Sequence, residues 1–450
     1  MATVAAGAIA GFGPLAGCAV AQAQAQAQAQ VQTSGAAAPH RWPAEADGFA
    51  ALDGGTAALD GVAAARRFDI RSRAELDAAL RLGDQPKLLR IHGRIDLAVG
   101  RGAAAFADPA FDFDAYCRAY APEAWGRRPP TGALEEARQR SARRQAEAVV
   151  VPLPPHTTLV GATPDAGFAD GTLMLDGAHH VVLRGLHFHG VQDHFPAWDP
   201  LDGARGEWNS DYDAVALRRS HHVWVDHCHF ESAWPARQQV FERLLQSNDG
   251  LLDITRASDL VTVSWCRFAG HDKTMLIGGS DNHRDDDGRL RVSLHHNLWL
   301  RCAERTPRVR YGRVHLANNL FVLPAAGAYG YSIGLGHRAR IACEANVWES
   351  GAGVADARLV RVLARSLEDV QFSDSGSLHN GRAIRLGDVL RGAHPPPAAA
   401  AHPPAAAAAH PPPPAAVAPA DFAPPPVRGL VAASEVAGLV RAGAGAHASS

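Results

Sequence analysis

Six stretches in the middle of the chain repeat one pattern of apolar and polar positions. They read VVLRGLHF from Val181, VWVDHCHF from Val223, VTVSWCRF from Val261, VSLHHNLW from Val292, VHLANNLF from Val314 and IACEANVW from Ile341. Positions one and three are mostly Val, Leu or Ile, and position eight is always Phe or Trp; such alternation predicts strand. Position six runs Leu186, Cys228, Cys266, Asn297, Asn319, Asn346. A column of like residues has a physical meaning if each octamer is one rung of a coil, because rungs stack about 4.8 Å apart and set like above like. The asparagines then form an amide ladder at a bend, and the aromatics an internal stack. The predicted fold class is therefore all-β, a right-handed parallel β-helix. The intervals between octamer starts run from 22 to 42 residues. The shortest fits a bare coil, whereas the longer ones need loops thrown out from one face, where a solenoid carries its function.

The flanks read differently. "RSRAELDAALR" over residues 71–81 has helical spacing and predicts an N-terminal cap over the open end of the helix. Strands begin in "RLGDQPKLLRIHGRIDL", and residues 106–148 are polar and partly helical. The β-helical domain is expected over 65–390, after a flexible lead-in at 31–64. Residues 391–426 are Pro, Ala and His, a composition for an extended linker rather than a core. His394, His402 and His410 recur there at intervals of eight, a spacing that does not by itself make a metal site. Residues 427–450 carry a short helical pattern expected to pack back on the domain.

The first thirty residues are a run of small apolar residues followed by an Ala-Gln repeat, similar to a secretory signal. No Lys or Arg precedes Arg41, so the usual basic start is missing. "LAGC" is also similar to a lipoprotein box, which would place a lipid on Cys18. Secretion and a periplasmic or outer-membrane lipoprotein both stay open. No other stretch is long and apolar enough to span a bilayer. The remaining cysteines, Cys117, Cys228, Cys266, Cys302 and Cys343, are too few and too scattered for a disulfide framework.

A formal charge of −2 excludes a globally basic nucleic-acid binder, so any attraction for anions must be local. Of the 44 basic residues only Lys87 and Lys273 are lysines, and a lysine in an arginine-rich chain invites a reason. Asp213 in "WNSDYDAV", with Asp249 and Asp253 in "NDGLLDIT", lies about ten residues ahead of successive rungs, so stacking is expected to group the three. Taken singly each is a turn former; grouped, they repel unless a cation joins them, and oxygen-only ligands suit calcium before magnesium. Lys273 follows the next rung. In "ERTPRVRYGRVH", Arg305, Arg308, Arg310 and Arg313 crowd together with only Glu304 to neutralise them. The bland reading is a solvated face. The same register, however, sets carboxylates, then lysine, then arginines across one face, which suits a cleft for a polyanion. In an extended "TPRVRYG", Arg308 and Arg310 share a side and Val309 faces the other. Asp226, His227, His271 and Asp272 are expected near that face as structural hydrogen bonders.

"WNSDYDAV", "VWVDHCHF", "DGLLDIT", "HDKTMLIG", "LHHNLW" and "ERTPRVRYGRVHLANN", in this order, resemble the pectate lyases of the parallel β-helix polysaccharide lyase family. The resemblance covers roughly residues 68–390 and includes the spacings of 20 from Asp253 to Lys273, 32 to Arg305 and 5 to Arg310. It implies a secreted, monomeric enzyme that cleaves polygalacturonate by calcium-dependent β-elimination. It implies Asp213, Asp249 and Asp253 as calcium ligands, Arg305 as base, and Lys273 and Arg310 as binders of substrate carboxylates with Arg308 in support. A guanidinium normally keeps its proton, so a base role implies that nearby cations lower the pKa of Arg305. The alternatives are a pectin lyase on methylated substrate, a β-helical hydrolase built on paired carboxylates, and a non-catalytic adhesin or polysaccharide-binding protein.

Overall fold

The computed structural model describes residues 43–57, 66–232, 238–393 and 417–445. The leader, Cys18 and the spaced histidines His394, His402 and His410 lie outside the described residues. Three long sheets run side by side. One ten-stranded sheet, from Arg67–Ile70 to Gln371–Ser375, takes the first part of every octamer. A second, from Arg94–Asp96 to Arg382–Ala383, takes its last residues, and an eight-stranded sheet from Val150–Pro152 to Val360–Val362 closes the coil. Neighbouring strands lie one coil apart and pair in parallel, save for a closing hairpin between Leu378–His379 and Arg382–Ala383. This is the expected parallel β-helix.

The predicted columns are present in register. Val181, Val223, Val261, Val292, Val314 and Ile341 pair in succession. Phe168, Phe188, Phe230, Phe268, Trp299, Phe321 and Trp348 stack inside the coil with ring centroids 4.5–5.9 Å apart. The asparagines form the amide ladder. Asn297 Oδ1 accepts from Cys266 N, Asn319 Oδ1 from Asn297 N and Nδ2, and Asn346 Oδ1 from Asn319 N and Nδ2. Each amide also donates to the carbonyl of Val263, Leu294 or Leu316 on the preceding coil. Above them Cys228 N donates to Cys266 Sγ, and all five described cysteines are free thiols.

The bend beside this ladder is made by position five, which is left-handed in every octamer: Gly185, His227, Trp265, His296, Asn318 and Ala345 have φ of 48° to 61°. Glycine and asparagine take that conformation readily; a residue with a larger side chain pays on the order of 1 kcal/mol for it. The ladder's buried amide hydrogen bonds hold the corner in place.

The ends are covered as the exposed edges demand. Helix Arg73–Leu80 starts at Ser72, whose hydroxyl accepts from Glu75 N, and buries Leu76 and Ala79. Helix Ala433–Gly443 sets Val436 and Val440 against Leu298, Leu320 and Val347, the position-seven residues of the last three octamers. Described parts of two segments expected to be loose, residues 43–57 and 417–426, lie on the domain. In the lead-in, Phe49 N and Ala50 N donate to Ser293 Oγ and Thr262 Oγ1. In the Pro/Ala/His segment, Ala418 bridges to Gln371 and Pro426 accepts from Gly48 N. The reason is physical: the outer face of the first sheet presents Val182, Trp224, Thr262 and Ser293, and Ala46 and Ala50 cover part of it. Lys87 is fully buried, its Nζ donating to the carbonyls of Gly83, Gln85 and Pro155. Burial pushes its ammonium pKa down to about 8.

Candidate active site

The eight-stranded sheet alternates inward apolar residues with an outward column of mixed character, and that column carries the charged groups. Met174, Ala216, Asp253, Leu276, Arg308, Gly334 and Arg361 pair in that order across successive coils. Leu252, Ile254, Ile277 and Val309 point into the core. Val309 thus faces away from Arg308, as the alternation requires.

Asp213 precedes its strand by two residues and lands beside Gly250 on the next coil, where its Oδ1 accepts from Gly250 N at 2.8 Å. Asp253 Oδ1 accepts from Leu276 N at 3.0 Å. Gly250 sits between the two carboxylates: a Cβ there would lie 2.6 Å from Asp213 Oδ1 and 3.0 Å from Asp253 Oδ1. Any side chain at this position would fill the space they share. Asp249 stands next to Gly250, and Lys273 Nζ reaches its Oδ1 at 3.1 Å. The structure therefore sets Asp213, Asp249 and Asp253 around Gly250 as a loose group with Lys273 on Asp249, the three carboxylates not all lying within 4.8 Å of one another.

Its electrostatics are those of negative charge in excess. Burial, with the charges of Asp253 and Asp249, pushes the Asp213 carboxyl well above the usual range. Burial and Asp249 push Asp253 up to about 7. Two crowded carboxylates that resist ionising, because Lys273 and Arg305 do not cancel their charge, fit a cation site, and an all-oxygen donor set fits a hard cation such as calcium.

Arg305 lies one coil beyond Lys273: Lys273 bridges in parallel to Glu304, and Met275 N donates to Arg305 O. Arg305 has a left-handed backbone with φ of 58°. Its Nε, 3.5 Å from Glu304 Oε1, has no hydrogen bond among the described residues, and neither has Arg308 Nε. Two guanidinium groups are thus left with buried donors to offer. From the protein's own groups alone, burial lowers the Arg305 pKa, but Tyr331, Glu304, Asp249 and Asp253 outweigh it and raise the value. Arg308 is the guanidinium that is pushed down, by burial together with Arg310 and Arg305.

Arg310 is held differently. Its Nε donates to Asp281 Oδ1 at 2.8 Å and its Nη1 to Gly278 O at 3.1 Å. Gly278, with φ of 87°, leaves no room for a Cβ, which would meet Arg310 O at 2.4 Å. Arg313 belongs to the first ten-stranded sheet, opposite Arg291 and Arg340, and not to this group.

His271 is buried and structural: its Nε2 meets Asn248 Oδ1 and its Nδ1 accepts from Lys273 N, joining the loops that carry Asp249 and Lys273. Asp272 accepts from Lys273 N at the same turn. Asp226 and His227 are not near this face. They end a strand of the first ten-stranded sheet, where Asp226 pairs with Arg184 at 2.9 Å and accepts from Ser264 Oγ. The octamer alternation alone did not say which sheet its fourth position would join. Sequence reading also passed over Gly250, Asp281 and Tyr331; only Gly250, beside Asp249, carried a signal, as a glycine where backbone and ligands crowd.

Helix Ala133–Val149 walls the carboxylate end of the face. It buries Ala137, Ser141 and Val149, pins Arg138 to Glu135 at 2.7 Å, and leaves a cavity of about 700 Å³ lined by Gln139, Arg143, Tyr212, Asp213 and Arg218. A second cavity of about 570 Å³ opens on Lys273, Glu304, Arg305 and Tyr329. The face thus runs from one cleft to another across the carboxylates, with cations beside and beyond them, which suits an extended acidic chain.

Comparison with known proteins agrees with this geometry. The sequence profile of a family described as pectate lyase matches residues 132–391. The chain is 33% identical over 351 residues to a pectate lyase of Bacillus subtilis, covering 75% of this chain and 82% of the relative. It is 32% identical over 354 residues to pectate lyase E of Dickeya dadantii, covering 76% and 78%. Among solved structures, a thermostable pectate lyase superimposes with a TM-score of 0.82 at 32% identity, covering 89% of this chain and 97% of the other. A pectate lyase bound to a hexasaccharide gives 0.80 at 29%, covering 89% and 96%. On its coil, its outward face and these likenesses, the chain belongs to the pectate lyase family of polysaccharide lyases.

Proposed function

We propose that the protein cleaves demethylated polygalacturonate by calcium-dependent β-elimination, leaving a 4,5-unsaturated sugar at the new end. The observation that carries this reading is the pair of carboxylates, buried Asp213 and half-buried Asp253, that flank Gly250, with Lys273 on the neighbouring Asp249. The names of the relatives support pectate as substrate, and the full set of acidic ligands disfavours a methylated one.

The reaction removes the C5 proton, which is α to the sugar carboxylate, so negative charge builds on the carboxylate side; that electron pair forms the C4–C5 double bond as the bond from C4 to the glycosidic oxygen breaks, and the leaving oxygen takes a proton from water. Calcium, held by Asp213, Asp249 and Asp253, would supply Lewis acidity toward the substrate carboxylate and make C5 more acidic. Lys273 and Arg310 bind substrate carboxylates and fix the sugar ring against the face. Arg308, with a free buried Nε, adds positive potential where charge develops. Arg305 takes the C5 proton in its neutral form. Its acidic neighbours hold that form back, so the reaction runs faster in alkaline medium.

Among the described residues no helix is long and apolar enough to cross a membrane. We place the enzyme outside the cell, on the likeness of the first thirty residues to a secretory signal. The test is incubation with polygalacturonate, with and without a chelator, while following ultraviolet absorbance of the unsaturated product. Calcium-restored absorbance is expected. Reducing ends without absorbance would mean hydrolysis, and no product with calcium present would leave only binding.

A further inference from the structure

At the turn that leads from the eight-stranded sheet into the first ten-stranded sheet, three imidazoles converge. His156 ends the turn into strand Thr157–Gly161, and His179 and His180 open strand His179–Arg184 on the next coil. One ring nitrogen from each lies within 4.8 Å of the other two, and these are the only described His, Cys, Asp or Glu residues that group so closely. All three side chains are half-buried, reachable from solvent yet held in place.

Stacking explains how they meet. His156 N donates to His179 O at 2.9 Å, so the turn of one coil sits on the strand start of the next. His156 and His180 both have φ of 53°, and their rings stack 5.3 Å apart at 22°. His179 stands at 90° to His156 and turns its Nδ1 to 3.0 Å from His180 Nδ1. Two ring nitrogens face each other with at most one hydrogen between them, and the third ring closes the side.

The next coil shows what is particular here. His221 and His222 repeat the paired rings, with Nδ1 atoms 2.7 Å apart, and His222 stacks on His180 at 4.8 Å. There Nε2 of His222 is occupied by the carbonyls of Leu52 and Asp53. The coil beyond supplies Asp259 and Leu260 in place of imidazoles. His222 therefore acts as a fixed platform under His180, while the open group is His156, His179 and His180. Burial and neighbouring rings push the His156 pKa down and that of His180 down to about 4, so both are neutral at ordinary pH with a lone pair to offer.

We propose that His156, His179 and His180 form a second metal site, selective for a nitrogen-seeking d-block dication such as zinc, that clamps two adjacent coils. Zinc takes imidazole nitrogens at about 2.0–2.1 Å, so small ring rotations bring the three donors onto one ion and leave a fourth position for water. An all-imidazole set discriminates against calcium, whose ligands are oxygens. The clamp and the carboxylate group thus take different ions without competing.

The test is equilibrium dialysis of the full chain against zinc chloride with calcium in excess, and thermal unfolding with and without zinc. Expected are about one zinc per chain at this site, no displacement by calcium, and a zinc-dependent rise in Tm of about 2–4 °C. His156→Ala and His179→Ala should each lower zinc affinity at least tenfold, since even the loss of a partner behind a ligand costs about 10–100-fold. Circular dichroism of each variant in chelator establishes that it folds. A chain carrying His394→Ala, His402→Ala and His410→Ala should keep both the binding and the Tm rise. The proposal fails if the wild-type chain takes up no zinc, if the folded His156 and His179 variants bind as well as wild type, or if binding disappears with the three distal histidines.

Discussion

Lys273 Nζ lies 3.1 Å from Asp249 Oδ1, so an ammonium already occupies one corner of the group that Asp213 and Asp253 complete. A dication and this lysine therefore share Asp249. Lys273→Met should tighten calcium binding about threefold to tenfold by removing a like charge, while kcat/KM on polygalacturonate falls roughly a hundredfold. Calcium titration calorimetry and steady-state kinetics check the two arms. Weaker calcium binding in the variant would mean that Lys273 orders the site rather than competing for it.

The raised carboxyl pKa values make stability depend on pH in a stated direction. Asp253 is pushed up to about 7 and Asp213 well above its usual range, so between about pH 4 and those values the native state binds more protons than the unfolded chain. With calcium chelated, this part of the stability is whole below about pH 4 and is lost as pH rises through 7. The gain in Tm on adding calcium should grow over the same window. Asp253→Asn should raise the chelated Tm at pH 8 and shrink the calcium effect; a calcium effect independent of pH would contradict the assignment.

Glu304 stands 3.5 Å from Arg305 Nε and helps to keep that guanidinium protonated. Removing its charge should make the neutral base easier to reach. Glu304→Gln is expected to shift the rising alkaline limb of kcat toward lower pH, while Arg305→Ala lowers kcat by roughly a thousandfold without changing the unfolding midpoint. An unmoved limb in the Glu304 variant would show that the titrating base is some other group.

Asn319 is the middle of the amide ladder, accepting from Asn297 and donating to Leu294 O and Asn346 Oδ1. Asn319→Ala leaves several of those groups buried without a partner, at a cost of roughly 3 kcal/mol. Denaturant unfolding should show that loss. Activity well below the unfolding transition should stay within about twofold, since the ladder lies at the corner away from the eight-stranded sheet.

Much of this was legible beforehand because stacking turns sequence columns into spatial ones. Val181 to Ile341, Phe188 to Trp348 and Asn297 to Asn346 could be aligned by eye, and each alignment is a register in the structure. The switch at position seven from His187, His229 and Arg267 to Leu298, Leu320 and Val347 also marks where the final helix docks. Position five was hidden: only Gly185 and Asn318 are residues that favour a left-handed backbone, and His227, Trp265, His296 and Ala345 adopt it under tertiary constraint. The clustering of the carboxylates followed from counting residues ahead of each rung. The charge state of Arg305 did not, because it depends on Tyr331 and on the side to which Glu304 turns, neither of which a linear spacing encodes.

The parallel registers join each coil to the ones before and after it, and hardly at all to itself. Cutting a peptide bond in one of the outer loops therefore severs the thread without releasing any layer, since both fragments stay zipped to their neighbours along three seams. A protease that nicks such a loop should leave a particle that still sediments as one body and separates only in denaturant. That is durability without a single disulfide among the described cysteines.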